Sequence, residues 1–355
     1  MVRLGALLAA GLAAFALAAC GSSAAAPTAA PSGDAVGATL DQVIAAAKKE
    51  GKVSWAATPD FIDGVAGFKD LVKAKYGVDL NISSDAQLSY PEKISKTLNE
   101  LNSGVPATYD LLDISDSTLP PLLAGNGALP IDWAKYGSNL PADAVVRGTM
   151  LVASNQFQFP AYNPKSIPAA QAPKSYDDLI DPKWAGKISV IDTLSAWTWL
   201  AQPDLWGEPK LTDYIRKLAA QKPVRDRYAG MLARLVSGEY PVSTSLLNGT
   251  ISLAQRKGQP VEMIKVTPTR DSAYGLAIPK NAQHPNAALL LALTNVTPEG
   301  QAIHDKFAAT TAAWVPGTPA AKFRAENKTV TPDLDFISKQ GPRIEKELEA
   351  IMRAG

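Results

Sequence analysis

Two sets of side chains in this sequence are placed to do chemistry. The first is a single thiol. Cys20 is the only cysteine among 355 residues and closes the stretch Leu17-Ala18-Ala19-Cys20. Arg3 and an apolar run from Leu4 to Leu17 precede it. That run is shorter than the about 20 apolar residues a membrane span needs, and it fits the apolar segment of a secretory signal. The Leu-Ala-Ala-Cys ending looks like a lipobox: cleavage would fall before Cys20, and its sulfur would carry a diacylglyceryl group. One cysteine permits no disulfide within the chain, although export would allow one.

The second set consists of hydroxyls and carboxylates that follow short apolar runs. Thr58-Pro59-Asp60, Ser83-Ser84-Asp85-Ala86-Gln87 and Ser115-Asp116-Ser117 lie in the first part of the chain. Asp192-Thr193-Leu194-Ser195 and Ser243-Thr244-Ser245, with Asn248 close behind, lie further on. The candidate ligand contacts are Thr58, Asp60, Ser84, Asp85, Ser115, Asp116, Asp192, Thr193, Ser195, Ser243, Thr244, Ser245 and Asn248. Trp197 is added as an aromatic wall that would stack on a sugar ring or hold a cation. Hydroxyls beside helix N–H groups suit an oxyanion or a sugar-like ligand. Several aspartates around one cleft suit a cation such as a polyamine. The two chemistries exclude each other at any one aspartate. Ser, Thr and Asp are also the preferred helix N-caps, so each of these residues has a purely structural alternative. Trp197 and Trp199 are two apart, so on a helix at most one faces a cleft, and core packing is the alternative for both.

Other chemistry is missing. The two histidines, His284 and His304, are far apart, and His284 in Gln-His-Pro-Asn reads as a turn residue. There is no HExxH, GxSxG, Walker loop or GxGxxG. No Cys and His cluster offers a zinc site, and no metal or cofactor is expected. Lysine and arginine number 35 against 34 aspartates and glutamates, a net charge of +1. This balance argues against a nucleic-acid partner, which normally meets a basic excess.

The elements that must position these residues alternate. The length exceeds what one core usually supports and predicts two lobes. Residues 21–37 are small, polar and proline-dotted and read as a flexible tether reaching roughly 20–25 Å. Thr39 and Gln42 have capping-box spacing ahead of Leu40, Val43, Ile44 and Ala47. Strands are predicted at 53–56, 78–82 and 109–114, with helices at 60–76 and 90–103 between them. A second series places strands at 187–191, 242–246, 261–265 and 274–278. Its helices fall at 211–221, 228–237 and 251–256, with others from Pro285 and over 342–353. This βαβ alternation predicts an α/β fold of two twisted, mainly parallel sheets flanked by helices. Ligands of such sheets bind beyond the carboxyl ends of the strands, where the loops above lie.

From about Leu40 onward the sequence resembles the type II periplasmic solute-binding proteins of bacterial ABC importers. The segments that carry this are Ala45–Val53, Ala161-Tyr162-Asn163-Pro164, Pro173–Leu179, Asp181–Ile188, Ser237–Val242, and His284–Ala288 followed by Pro298–Gln301. The nearest branch holds ferric-iron, phosphonate, sugar-phosphate, thiamine and polyamine receptors. Its ferric members use an adjacent Tyr-Tyr pair after the Gly-Glu strand. Here that stretch reads Ser243-Thr244-Ser245-Leu246-Leu247-Asn248-Gly249, and no Tyr-Tyr pair occurs anywhere.

The resemblance implies a two-lobed, type II binding-protein fold joined by hinge strands, and a non-enzymatic role. The expected division is a signal peptide over 1–19 and a lipoprotein tether over 20–37. Lobe 1 takes 38–155 and 274–315, and lobe 2 takes 156–273 and 316–355. The implied function is capture of a small solute by hinge closure, the solute being an organic anion, sugar-phosphate-like or polyamine-like. The implied partners are that solute, an ABC permease with its ATPase, and the outer face of the cell membrane through lipid on Cys20, with the protein itself a monomer. The alternatives are a ferric receptor with a non-standard site, a surface sensor lipoprotein without transport, and an enzyme using a cleft carboxylate on the same fold. Metabolic labelling with a fatty-acid probe tests the anchor. The wild type is expected to incorporate the probe and Cys20→Ser to lose it, because stable attachment needs two acyl chains. An unlabelled wild type overturns the lipobox reading.

Overall fold

Thr39 opens the first helix, Leu40–Glu50: its Oγ1 accepts the Gln42 N–H at 3.3 Å, while the Gln42 side chain reaches back to the Ala38 N–H at 2.8 Å. The structure, a computed structural model, describes residues 36–137 and 140–355. Cys20, the signal and most of the tether lie outside the described residues, as does the side chain of Asp60.

The strands form one curled sheet. In chain order they are β1 (Lys52–Ala56), β2 (Asn81–Asp85), β3 (Leu111–Ser115), β4 (Val145–Val146), β5 (Met150–Tyr162), β6 (Ile188–Ile191), β7 (Val224–Asp226), β8 (Val242–Leu247), β9 (Glu262–Met263), β10 (Thr269–Ala277) and β11 (Thr329–Val330). Their main order is β2-β1-β3-β10-β5-β8-β6-β7. The flanking trios β2-β1-β3 and β8-β6-β7 are parallel. Between them β10 runs antiparallel to β3 and to β5, and β5 runs antiparallel to β8. The fold is therefore two α/β lobes joined through two crossing strands.

Parallel neighbours need crossover connections, and helices supply them. Val65–Tyr76 buries Phe68 and Val72, and Tyr90–Asn102 buries Ile94. One apolar core collects Trp55, Phe68, Leu111 and the helix Pro285–Asn295, every residue of which is buried. A separate core collects Phe157, Phe159, Trp184, Trp199, Tyr214 and, from the last helix, Ile344 and Leu348.

The longest strand, β5, escaped the sequence pattern. Pro160 interrupts it, and its polar residues Asn155, Gln156 and Gln158 do not alternate as in a half-buried strand. The structure absorbs Pro160 at a register shift between Phe159 and Ala161, where a missing N–H is tolerated. β10 shifts register between Tyr274 and Gly275. A Cβ on Gly275 would stand 2.3 Å from the Leu151 carbonyl oxygen, so only glycine lets the two strands approach. The last helix runs over Leu334–Ala354, beginning before the predicted 342, with Pro342 inside it.

His304 is buried against Phe61, ring centroids 4.3 Å apart, and Phe68, and its Nε2 meets Asn295 Oδ1 at 3.0 Å. Nδ1 has no partner. Burial pushes its pKa down from 6.5 to about 3. The folded state thus keeps the ring neutral where the unfolded chain protonates it. Stability from this group is full above about pH 6.5 and is lost as pH falls toward 3. At roughly 1.4 kcal/mol per pH unit, the loss by pH 4.5 is roughly 2–3 kcal/mol. Thermal melts at pH 7 and pH 4.5 are expected to differ less in His304→Leu than in the wild type; an equal difference refutes this assignment.

Candidate ligand-binding cleft

The carboxyl ends of β1, β3, β6 and β8 meet the middle of β5 and β10 at one cleft. It has two chambers, of about 750 Å³ and about 400 Å³. Ser117, Thr193, Ser195, Tyr228, Leu247 and Tyr274 line both, so the chambers are continuous. Thr58, Tyr90 and Ser115 enter from the first lobe, and Thr193, Tyr228 and Thr250 from the second. Gly249 permits a close contact between elements here. A Cβ at that position would lie 2.7 Å from Thr310 Cγ2 and 2.8 Å from the Ala308 carbonyl oxygen.

Two cations line the cleft in different states. Lys93 is 1% exposed, and its Nζ donates to the carbonyls of Ala56 at 3.0 Å, Ala57 at 2.9 Å and Asp113 at 3.1 Å. An ammonium has three donors, and all are engaged. Burial lowers the Lys93 pKa, while Asp113 and Asp85 oppose the shift. Lys93 therefore ties the ends of β1 and β3 together and has no donor left for a ligand. Arg270 is half-buried in the second chamber. Its guanidinium has no hydrogen-bond or ion-pair partner among the described residues, and its Nε is buried.

Asp116, 1% exposed, lines the same chamber. Its Oδ2 accepts the Ala273 N–H at 3.0 Å, and its Oδ1 is buried without a partner. Burial raises its pKa, and Arg270 opposes the rise. The third charged group is Glu345 of the last helix. Its Oε1 accepts the Ser195 N–H at 3.1 Å and the Thr193 hydroxyl. Glu349, one turn on, accepts the Leu194 N–H at 3.3 Å and pairs with Arg225 at 2.6 Å. Three phenols complete the walls: Tyr90 and Tyr274 have ring centroids 5.7 Å apart, and Tyr228 lines both chambers. Burial raises the pKa of Tyr228 and Tyr274, which therefore present neutral hydroxyls.

Of the residues expected from the sequence, Thr58, Ser115, Asp116, Thr193 and Ser195 line the cleft. The Asp60 side chain lies outside the described residues, and the others are placed elsewhere. Ser84 lies within β2. Asp85 accepts the Tyr109 hydroxyl and the Gln87 N–H at 2.9 Å, closing its own loop. Asp192 is exposed and pairs with Arg227 at 3.6 Å. Trp197 is buried in the second core, 5.5 Å from Tyr214 between ring centroids. Ser243, Thr244 and Ser245 are buried inside β8, which runs on to Leu247, and Ser245 Oγ accepts Gln158 Nε2 at 2.6 Å. Asn248 Oδ1 accepts the Phe157 N–H at 2.8 Å and fastens β5. Tyr240 lies against Arg234, its ring centroid 5.7 Å from the guanidinium carbon. Sequence reasoning missed Tyr90, Lys93, Tyr228, Arg270, Tyr274 and Glu345. One signal was available: Arg270, Ser272 and Tyr274 alternate along one strand and so share a face.

Neither histidine lines the cleft, and among its hydroxyls Ser89 donates to Glu92 at 2.6 Å and Thr193 donates to Glu345. The family described as bacterial extracellular solute-binding protein matches residues 68–333. A curated relative, an uncharacterized protein of Haemophilus influenzae, is 30% identical over 142 residues, which are 37% of this chain and 39% of that protein. Iron-bound HitA from Pseudomonas aeruginosa is similar over 84% of this chain and 99% of its own, at 18% identity and a TM-score of 0.68. The substrate-binding protein of an ABC transporter from Agrobacterium tumefaciens is similar over 84% and 94%, at 18% and 0.69. The Atu4243-GABA receptor is similar over 85% and 97%, at 16% and 0.66. At these identities the solved structures speak for the fold, a two-lobed periplasmic-binding-protein fold. With the family match across both lobes and a solute-sized cleft between them, the chain belongs to the bacterial extracellular solute-binding proteins, the non-enzymatic receptors of ABC transporters.

Proposed function

We propose that this protein is a lipid-anchored receptor that captures a small organic solute with one anionic group and delivers it to an ABC permease and its ATPase. The observation that carries this reading is Arg270, a guanidinium without a partner in a cleft of hydroxyls and neutral phenols. A guanidinium presents a fork of donors matched to a carboxylate or phosphate. Thr193, Ser195 and Ser117 supply hydroxyls around it, and Tyr228 and Tyr274 supply rings and O–H groups. The lobes are proposed as 38–155 with 274–315, and 156–273 with 316–355, in keeping with the two apolar cores. β5 and β10 act as the hinge. A solute that touches both lobes gains contacts only when they close, and this difference drives closure. Tethering through Cys20 keeps the receptor at the membrane face.

The test begins with native mass spectrometry of freshly purified protein to identify the bound solute. Returned to stripped protein, that solute is expected to shrink the radius of gyration in solution scattering and to raise the melting temperature. Arg270→Ala is expected to lose about 1.5–3 kcal/mol of binding, roughly ten- to a hundredfold in Kd. Unchanged affinity in that variant, or tight binding without compaction, sinks the reading.

One observation favours a second reading with ferric ion as the cargo. Tyr90, Tyr228 and Tyr274 come from distant parts of the sequence to one cleft, and iron-bound HitA shares the fold. Among the described residues no three His, Cys, Asp or Glu side chains come together to hold a metal. Iron would therefore depend on phenolates, which burial disfavours here until a metal is present. Ferric citrate titration separates the readings. The organic-solute reading expects no visible charge-transfer band, whereas a coloured protein bleached by Tyr228→Phe or Tyr274→Phe establishes the ferric one.

A further inference from the structure

We infer that Glu345 is a specificity-determining residue: it fills, from within the chain, the oxyanion position at the Thr193–Ser195 turn and so keeps doubly charged anions out of the second chamber. The inference rests on the cleft being the solute site.

The turn after β6 offers what an oxyanion needs, two hydroxyls that line the cleft, on Thr193 and Ser195, and the successive backbone N–H groups of Leu194 and Ser195. Those donors are already engaged. Glu345 takes the Ser195 N–H at 3.1 Å and the Thr193 hydroxyl, and Glu349 takes the Leu194 N–H at 3.3 Å. The helix bearing both glutamates is fixed, because Ile344 and Leu348 on it are buried in the second core. Arg225, which pairs with Glu349, also donates to the Asp192 carbonyl and holds the turn from its other side. A carboxylate delivered by a packed helix in this way occupies the place of a ligand anion.

The charges of the chamber follow from that. Arg270 is its one unpartnered cation among the described residues, and Asp116 and Glu345 are carboxylates in the same wall. A phosphate-like dianion would meet the Glu345 carboxylate, with the buried Asp116 carboxyl beside it, for a single guanidinium, and like charges at close range repel. A solute with one anionic group and an ammonium, N–H or O–H group beside it meets the opposite situation. Its anion reaches Arg270, and its donor reaches the buried Oδ1 of Asp116, which has no other partner. The structure thus points to zwitterionic or donor-rich monoanions and away from phosphate monoesters.

Titration calorimetry with inorganic phosphate and with sulfate tests this on the mature protein, stripped of solute. Wild type is expected to bind neither at millimolar concentration. Glu345→Ala, its fold checked by melting, is expected to bind phosphate at least about tenfold more tightly than wild type, and Arg270→Ala in that background is expected to abolish the gain. Glu345→Gln, which keeps an oxygen on the Ser195 N–H but removes the charge, is expected to gain about threefold or more and decides the matter if Glu345→Ala does not fold. A folded Glu345→Ala protein that binds phosphate no better than wild type overturns the proposal, as does a gain that survives Arg270→Ala. Neither result touches the cleft reading itself, which is judged separately by solute-driven compaction and by Arg270→Ala with the co-purified solute.

Discussion

The antiparallel pairing of β5 with β10 is the constraint on which the rest of this structure depends. Arg270 stands opposite Gln158 at one end of the ladder and Leu276 opposite Leu151 at the other. β10 joins the parallel trio of the first lobe, and β5 joins that of the second. The carboxyl ends of both trios are thereby turned toward the same cleft. A buried polar network fixes the junction. Asn155 donates to Asp271 at 2.7 Å, Arg324 pairs with Asp271 at 2.8 Å, and Asn155 Oδ1 accepts the Ala313 N–H at 2.8 Å. Asp271 is 1% exposed, and burial raises its pKa while Arg324 opposes the rise. A lone carboxylate there would be costly, and the guanidinium and amide around it keep the crossing in one arrangement.

The same crossing explains why like charges serve unlike ends. Lys93 lies under the first chamber with every donor engaged by carbonyls of the first lobe, so its charge stabilises the strand ends. Arg270 projects from β10 where no carbonyl or carboxylate closes on it, so its donors remain for a solute. Charge alone does not distinguish the two; hydrogen-bond saturation does.

The last helix adds a wall that neither parallel trio of strands provides. Asp335 at its start pairs with Arg147 of the first lobe at 2.7 Å, while Glu345 and Glu349 grip the turn after β6 in the second. Ile337, Gly341 and Pro342 line the second chamber between these contacts. The exposed Arg147 pair is a weak contact of the kind that opens readily, whereas the buried face of the helix is not.

Periodicity and turn chemistry were enough to read the α/β class, most strands and helices, and the series of polar loops at strand ends. Those features are local: a capped helix or a short apolar strand depends on residues within a few positions of one another. Length and the repeated α/β series predicted two lobes, and the family resemblance added the hinge strands that join them. Tertiary structure decided which polar residues became walls. Ser243 to Ser245 were lost to the interior because β8 continues to Leu247, and Trp197 was lost to a core assembled from residues as distant as Tyr176 and Tyr214. Tyr90, Tyr228, Arg270 and Glu345 are far apart in sequence, and only the crossing of β5 and β10 and the return of the last helix bring them together. The strand that makes the crossing, β5, was itself hidden. A central strand covered on both faces and interrupted by Pro160 has no two-residue alternation to show, and its position is set by partners at both ends of the chain.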